Sequence, residues 1–115
     1  REEVDIFYQP VVRTLDSMVV GCEALMRWEH PERGPVSPAI FIPIAEESSL
    51  IEVLGAFALR RACRDAVAWP GSVRVAVNVS AAQFANPGFV GLVQDVLEET
   101  GLDPDRLELE LTESV

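Results

Sequence analysis

No lysine occurs anywhere in these 115 residues, and all nine cationic side chains are Arg. Chemistry that depends on a lysine amine is therefore excluded from this segment. Acids outnumber bases, 19 to nine, for a formal net charge of −10 at pH 7. That balance argues against non-specific binding to DNA or to anionic membranes. It leaves room for a small anionic ligand neutralised locally by metal ions and a few Arg residues. Cysteine is scarce: Cys22 and Cys63 lie far apart without metal-ligand spacing, and read as buried thiols in a reducing, cytoplasmic compartment. No apolar run approaches the ~20 residues of a membrane span. The opening Arg1-Glu2-Glu3-Val4-Asp5 has no signal-peptide pattern and reads as an internal stretch of a longer protein. The one histidine, His30, precedes Pro31 in an expected loop and reads as structural.

What is present is 49% apolar residues, enough to bury a core, in a length that fits one domain or part of one. Val4 to Arg13 and Met18 to Trp28 read as two strands joined by a turn at Leu15-Asp16-Ser17, a β-hairpin. Glu29 to Val36 reads as a loop. Ser37-Pro38 starts a helix running to about Glu47, with Ser as cap and Pro in the first turn. Ser48-Ser49 caps a longer helix, Leu50 to Trp69, with an apolar stripe of Leu50, Val53, Leu54 and Phe57 and a basic flank of Arg61 and Arg64. Val73 to Val79 is a strand, followed by a short turn of helix capped by Ser80. Asn86-Pro87 starts another helix, closed by Gly101, and Arg106 to Thr112 is a last strand. The order β-β-α-α-β-α-β implies parallel pairing and an α/β layer fold, either an open sheet or a barrel.

Three strands carry a polar stripe. In Gly21-Cys22-Glu23-Ala24-Leu25-Met26-Arg27-Trp28, alternation puts Glu23, Leu25 and Arg27 on one face. In Val73 to Ser80, Arg74, Ala76, Asn78 and Ser80 oppose a row of Val; in Leu107 to Thr112, Glu108, Glu110 and Thr112 oppose Leu. A polar face is ordinary on a half-wet antiparallel sheet. Strands joined by helices have both faces covered, so these polar faces would point into an enclosed space, where charge is costly unless it is paired or bound. Glu23, Asn78 and Glu110 are oxygen donors of the kind that suit Mg²⁺ or Mn²⁺, and Arg27 suits a phosphate. The plainer readings are a Glu23–Arg27 pair on a wet face, Asn78 as a helix cap, and Glu110 as a solvated strand residue. Ser80 is the better-placed cap.

Five blocks resemble, in order, those of EAL domains, the cyclic-di-GMP phosphodiesterases: Tyr8-Gln9-Pro10, Glu23-Ala24-Leu25, Phe41-Ile42-Pro43 with Ala45-Glu46, Asn78-Val79-Ser80, and Glu110-Leu111-Thr112-Glu113. The resemblance implies a TIM-like (β/α) barrel with an antiparallel first strand, of which about the first half is present. It implies hydrolysis of cyclic-di-GMP to pGpG with two divalent ions, Mg²⁺ or Mn²⁺. Glu23, Asn78 and Glu110 then correspond to metal ligands, and Glu113 to a glutamate that positions a neighbouring active-site loop. Gln9, Leu25 and Arg27 correspond to substrate contacts, with Arg27 on a phosphate. Glu46 corresponds to a block residue or is a solvated helix carboxylate.

The chain departs from the family pattern by stopping at Val115, just after the Glu110-Leu111-Thr112-Glu113 block. The family's following Asp-Asp pair, lysine and later glutamates lie beyond it. Residues 1–115 are thus expected to form the N-terminal half of one EAL domain, inactive alone within an active parent. An apolar last strand at the edge of half a barrel predicts self-association. GGDEF or sensory domains are possible neighbours in the parent. The competing expectations are a degenerate EAL module that binds cyclic-di-GMP or a protein without hydrolysis, and an unrelated open α/β domain.

Overall fold

The computed structural model describes residues 4–12, 15, 19–30, 34–36, 50–70 and 73–112, with backbone alone at Val4, Trp28, His30, Leu50 and Thr112. The expected helix from Ser37, the Phe41-Ile42-Pro43 block, Glu46 and Glu113 lie outside the described residues. Strand β1 (Val4–Val12) pairs antiparallel with β2 (Val19–His30), and a bulge at Val11/Val12 ends the regular register. Helix α1 (Leu50–Val67) leads to β4 (Arg74–Ser80), which lies parallel to β2. The short helix α2 (Ala81–Ala85), helix α3 (Phe89–Thr100) and a 3₁₀ turn (Pro104–Arg106) lead to β5 (Leu107–Thr112), parallel to β4. The sheet order is β1-β2-β4-β5. The antiparallel first strand followed by parallel strands is the expected arrangement.

The stretch expected as a loop after Trp28 is partly strand. β2 runs on through Glu29 and His30, and a three-residue strand β3 (Gly34–Val36) folds back on it, pairing Trp28 with Val36 and His30 with Gly34. Gly34 takes a left-handed φ of 77°, which the return needs and an L side chain resists. Pro35 is tolerated because it stands on an edge strand with no ladder bond to donate. His30 is therefore the last residue of β2 rather than a loop residue.

The core lies between the sheet and its two long helices. The Val75, Val77 and Val79 face of β4 is buried, as are Ile6 of β1 and Ala24 of β2. Helix α1 meets them with Ala58, Leu59, Ala62, Cys63 and Ala66, and α3 adds Val96. Small side chains at Ala58, Ala62 and Ala66 let α1 lie close to the β-branched row of β4. The apolar stripe of α1 is centred on Ile51, Leu54, Ala58 and Ala62; Val53, expected within it, is exposed. Helix α3 begins at Phe89, two residues after Pro87, because Asn86 Oδ1 accepts the Gly88 N–H at 2.8 Å in a separate turn. Gly101 closes α3 in the left-handed conformation. On β5, Leu109 and Leu111 are exposed.

Arg106 closes the far end of the fold. Its guanidinium donates to the carbonyls of Ala66 at 2.8 Å, Pro70 at 3.2 Å and Val73 at 3.0 Å, joining the end of α1 to the start of β4. A cation at a helix C-terminus also complements the macrodipole. Arg106→Ala is expected to cost about 2–3 kcal/mol, through the loss of charge-assisted bonds. Arg106→Lys should recover only part, for want of the planar fork. Urea denaturation midpoints measure both.

Candidate functional site

Register builds the site. Gln9 of β1 lies opposite Glu23 of β2, Glu23 is in register with Ala76 of β4, and Ala76 with Glu108 of β5. One step toward the strand ends, Asn78 is in register with Glu110. The polar stripes of three parallel strands thus share one face. Ala76 has no side chain beyond Cβ to fill the ground opposite Glu23, so Asn78 reaches across from one pleat further on. Its Nδ2 donates to Glu23 Oε2 at 3.3 Å. Both residues are half-buried, and Glu110 is exposed. An open depression of about 540 Å³ occupies this face, lined by Glu23, Ala76 and Glu110 and, toward the strand starts, by Gly21, Arg74 and Glu108.

The alternatives left open by the sequence separate here. Asn78 does not cap the following helix. Ser80 does, with Oγ accepting the Gln83 N–H at 3.2 Å while Gln83 Oε1 accepts the Ser80 N–H at 3.1 Å. Nor do Glu23 and Arg27 pair with each other. The Arg27 guanidinium carbon instead lies over the Phe7 ring, 4.7 Å from its centre, on the exposed strand surface. Leu25 is half-buried on the same face, and Gln9 is exposed.

Gln9 is held in register from behind. Its neighbour Tyr8 faces α1, where the phenol donates to Asp65 Oδ2 at 2.5 Å and the ring meets Trp69 edge-on at 5.0 Å. Arg61 bridges Asp65 at 3.2 Å and Asp5 at 2.8 Å. This network ties the edge strand β1 to α1. Sequence reasoning missed Asp65, which carries only an i,i+4 charge pair as a local signal. It also missed Gln83, whose signal was on view as Ser-x-x-Gln after a strand. Burial, then the Asp65 bond, raises the Tyr8 pKa well above its ordinary 10.0. Burial pushes the Cys63 thiol up to about 11 and also raises Cys22.

Glu23, Asn78 and Glu110 form a hard-oxygen donor set of the kind that suits Mg²⁺ or Mn²⁺. With its Nδ2 on Glu23, the Asn78 amide has its Oδ1 as the atom that could serve as an oxygen ligand. Among the described residues no three His, Cys, Asp or Glu side chains cluster so as to hold a metal ion. Fold and site together define a class: a partial (β/α) sheet with oxygen donors near the C-terminal ends of parallel strands.

The EAL domain family model matches residues 1–115. The chain is 55% identical over 112 residues to an uncharacterized signaling protein of Caulobacter vibrioides, covering 97% of this chain and 14% of that protein. It is 41% identical over 118 residues to the bifunctional diguanylate cyclase/cyclic di-GMP phosphodiesterase MucR of Pseudomonas aeruginosa, covering 99% of this chain and 17% of that one. The solved MucR phosphodiesterase in complex with c-di-GMP superposes with a TM-score of 0.91 at 38% identity, over 94% of this chain and 45% of that chain. The cGMP-bound EAL enzyme Bd1971 gives 0.86 at 31%, over 96% and 33%. The chain belongs to the EAL domain family. It spans under half of each of these solved chains and about one seventh of the Caulobacter protein.

Because Tyr8 holds its proton more tightly folded than unfolded, its contribution to stability is complete below pH 10. It is lost as pH rises through the higher folded value. Tyr8→Phe is expected to cost about 1–2 kcal/mol at neutral pH and to flatten the alkaline fall in stability. Denaturant midpoints measured from pH 8 to 12 test the sign.

Proposed function

We propose that residues 1–115 are the N-terminal half of a metal-dependent cyclic-di-GMP phosphodiesterase domain, converting cyclic-di-GMP to the linear pGpG in the complete protein. The observation that carries this is the Glu23–Asn78 contact at 3.3 Å across parallel strands, with Glu110 in register beside it. The overlay on the MucR phosphodiesterase supports it.

The balanced reaction adds one water across one phosphodiester: water oxygen bonds to phosphorus, one ribose oxygen leaves, and the proton passes to that oxygen. Divalent ions held by Glu23, Asn78 and Glu110 would supply charge neutralisation and an activated water. The chain's own part is positioning. Arg27, lying over Phe7, presents a planar fork to a phosphate of the substrate. Gln9 contacts the ligand from the edge strand, and Leu25 offers it an apolar surface. Glu113 would position a neighbouring loop. The excess of acid on this face explains the need for cations: a dianionic ligand is repelled by Glu23, Glu108 and Glu110 until they are neutralised.

The rest of the catalytic set lies outside these residues, so the segment alone is proposed to be inactive and, with Leu109 and Leu111 exposed on β5, to self-associate. No described helix is long and apolar enough to cross a membrane. Membership of the EAL family, a family of signalling modules, supports a proposed cytoplasmic location. Cyclase or sensory units elsewhere in the complete protein are proposed partners.

The test is turnover of cyclic-di-GMP in Mn²⁺, followed as pGpG. The complete protein should be active and Glu23→Ala should fall to background, while Arg27→Lys should weaken substrate binding about ten-fold. Ligand binding without turnover by the wild-type protein would instead establish a non-hydrolytic module. Turnover by residues 1–115 alone, lost on Glu23→Ala, would refute the proposed inactivity of the segment.

A further inference from the structure

Gly55 stands in the interior of α1, where glycine costs a helix about 1 kcal/mol relative to Ala. Neither the core nor the proposed chemistry uses it. A packing reason is visible. A Cβ at position 55 would lie 1.6 Å from Gln83 Nε2 and 2.6 Å from Gln83 Cδ. The gap left by glycine is therefore filled by the side chain of Gln83, which is 7% exposed. Gln83 is the third residue of α2, which starts where β4 ends. Its Oε1 holds the N–H of Ser80, itself 5% exposed, and Ser80 Oγ holds the Gln83 N–H. A second fastening lies alongside, where Asn86 Nδ2 donates to Glu52, one turn earlier on α1.

We propose that Gln83, seated in the notch at Gly55, is a positioning residue for the metal site: it locks the end of β4 to α1 and so sets where Asn78 stands. This rests on the phosphodiesterase reading above. Ser80 and Asn78 are adjacent residues of one strand face, so a shift of Ser80 is passed to Asn78 through two rigid peptide units. The Asn78–Glu23 contact is at the long end of hydrogen-bond geometry at 3.3 Å. A few tenths of an ångström at the strand end therefore breaks it and spreads the donor set. Among the described residues, α1 reaches the end of β4 through this interlock, while the Tyr8–Asp65–Arg61 network ties it to β1.

The test uses the complete protein and three variants, Gln83→Ala, Gly55→Ala and the double variant. Two readouts are independent of turnover: the Asn78 side-chain amide resonance, and Mn²⁺ affinity by calorimetry. Gln83→Ala is expected to move the Asn78 resonance and weaken Mn²⁺ about ten-fold, the lower end of what partners of metal ligands contribute. Gly55→Ala should act in the same direction by displacing Gln83. The double variant should be no worse than Gln83→Ala, because without Gln83 the new methyl meets an empty notch. Should Gly55→Ala fail to fold, Gln83→Ala, which only removes atoms, decides. A fall in melting temperature with Asn78 and Mn²⁺ affinity unmoved would overturn the proposal, as would additive effects in the double variant. If the wild-type protein binds no Mn²⁺, the metal reading fails, and the Asn78 resonance alone judges the interlock.

Discussion

Parallel pairing of β2, β4 and β5 is the constraint from which the site follows. Antiparallel strands with the same sequences would turn their polar stripes to water, and nothing would need explaining. Parallel strands need long crossovers, and here those crossovers are helices that cover the Val and Ala face. The apolar faces of β4 and of α1 settle each other: Val75 and Val77 on one side, Ala58, Ala62 and Ala66 on the other. With that side fixed, Glu23, Asn78 and Glu110 have only the opposite face left. A one-residue slip in any strand would exchange the two faces, which is why the register is as much a part of the site as its residues.

The same logic explains how residues far from the site serve it. β1 is an edge strand, and an edge strand held by one ladder alone would fray. The Tyr8–Asp65–Arg61–Asp5 chain replaces the missing neighbour with charge-assisted bonds to α1. Gln9 stays opposite Glu23 as a result. Individually such part-exposed pairs contribute little; linked through one carboxylate and backed by an aromatic pair, they hold one geometry. At the other side of the sheet, α2 is too short to be stable by itself. Its capping box and its seat on α1 give it a fixed place.

Much of this was legible in the residues. Alternation located all three polar stripes, and the hairpin, the Ser80 cap and the Gly101 stop lay where local rules put them. The readings that failed have local causes. Val53 fits an apolar stripe by spacing, but α1 is rotated so that the small residues face the sheet. The Pro and Gly after Trp28 suggest a loop, but they also suit a short edge strand. Pro87 looked like a helix start, but Asn86 takes the next amide for a turn of its own.

Residue identity and order by themselves determined which chemistry is available: hard oxygen donors, guanidinium forks, no lysine, and strands whose two faces differ. Those are properties of side chains and of the two-residue pleat, and they survive any placement of the strands. Tertiary structure alone decided that Asn78 meets Glu23, that Arg27 lies over Phe7 rather than pairing with Glu23, and that Gln83 fills the notch at Gly55. Each of these joins residues on different elements. Such contacts depend on register and helix rotation, which are set by packing across the whole core rather than by any local run of sequence.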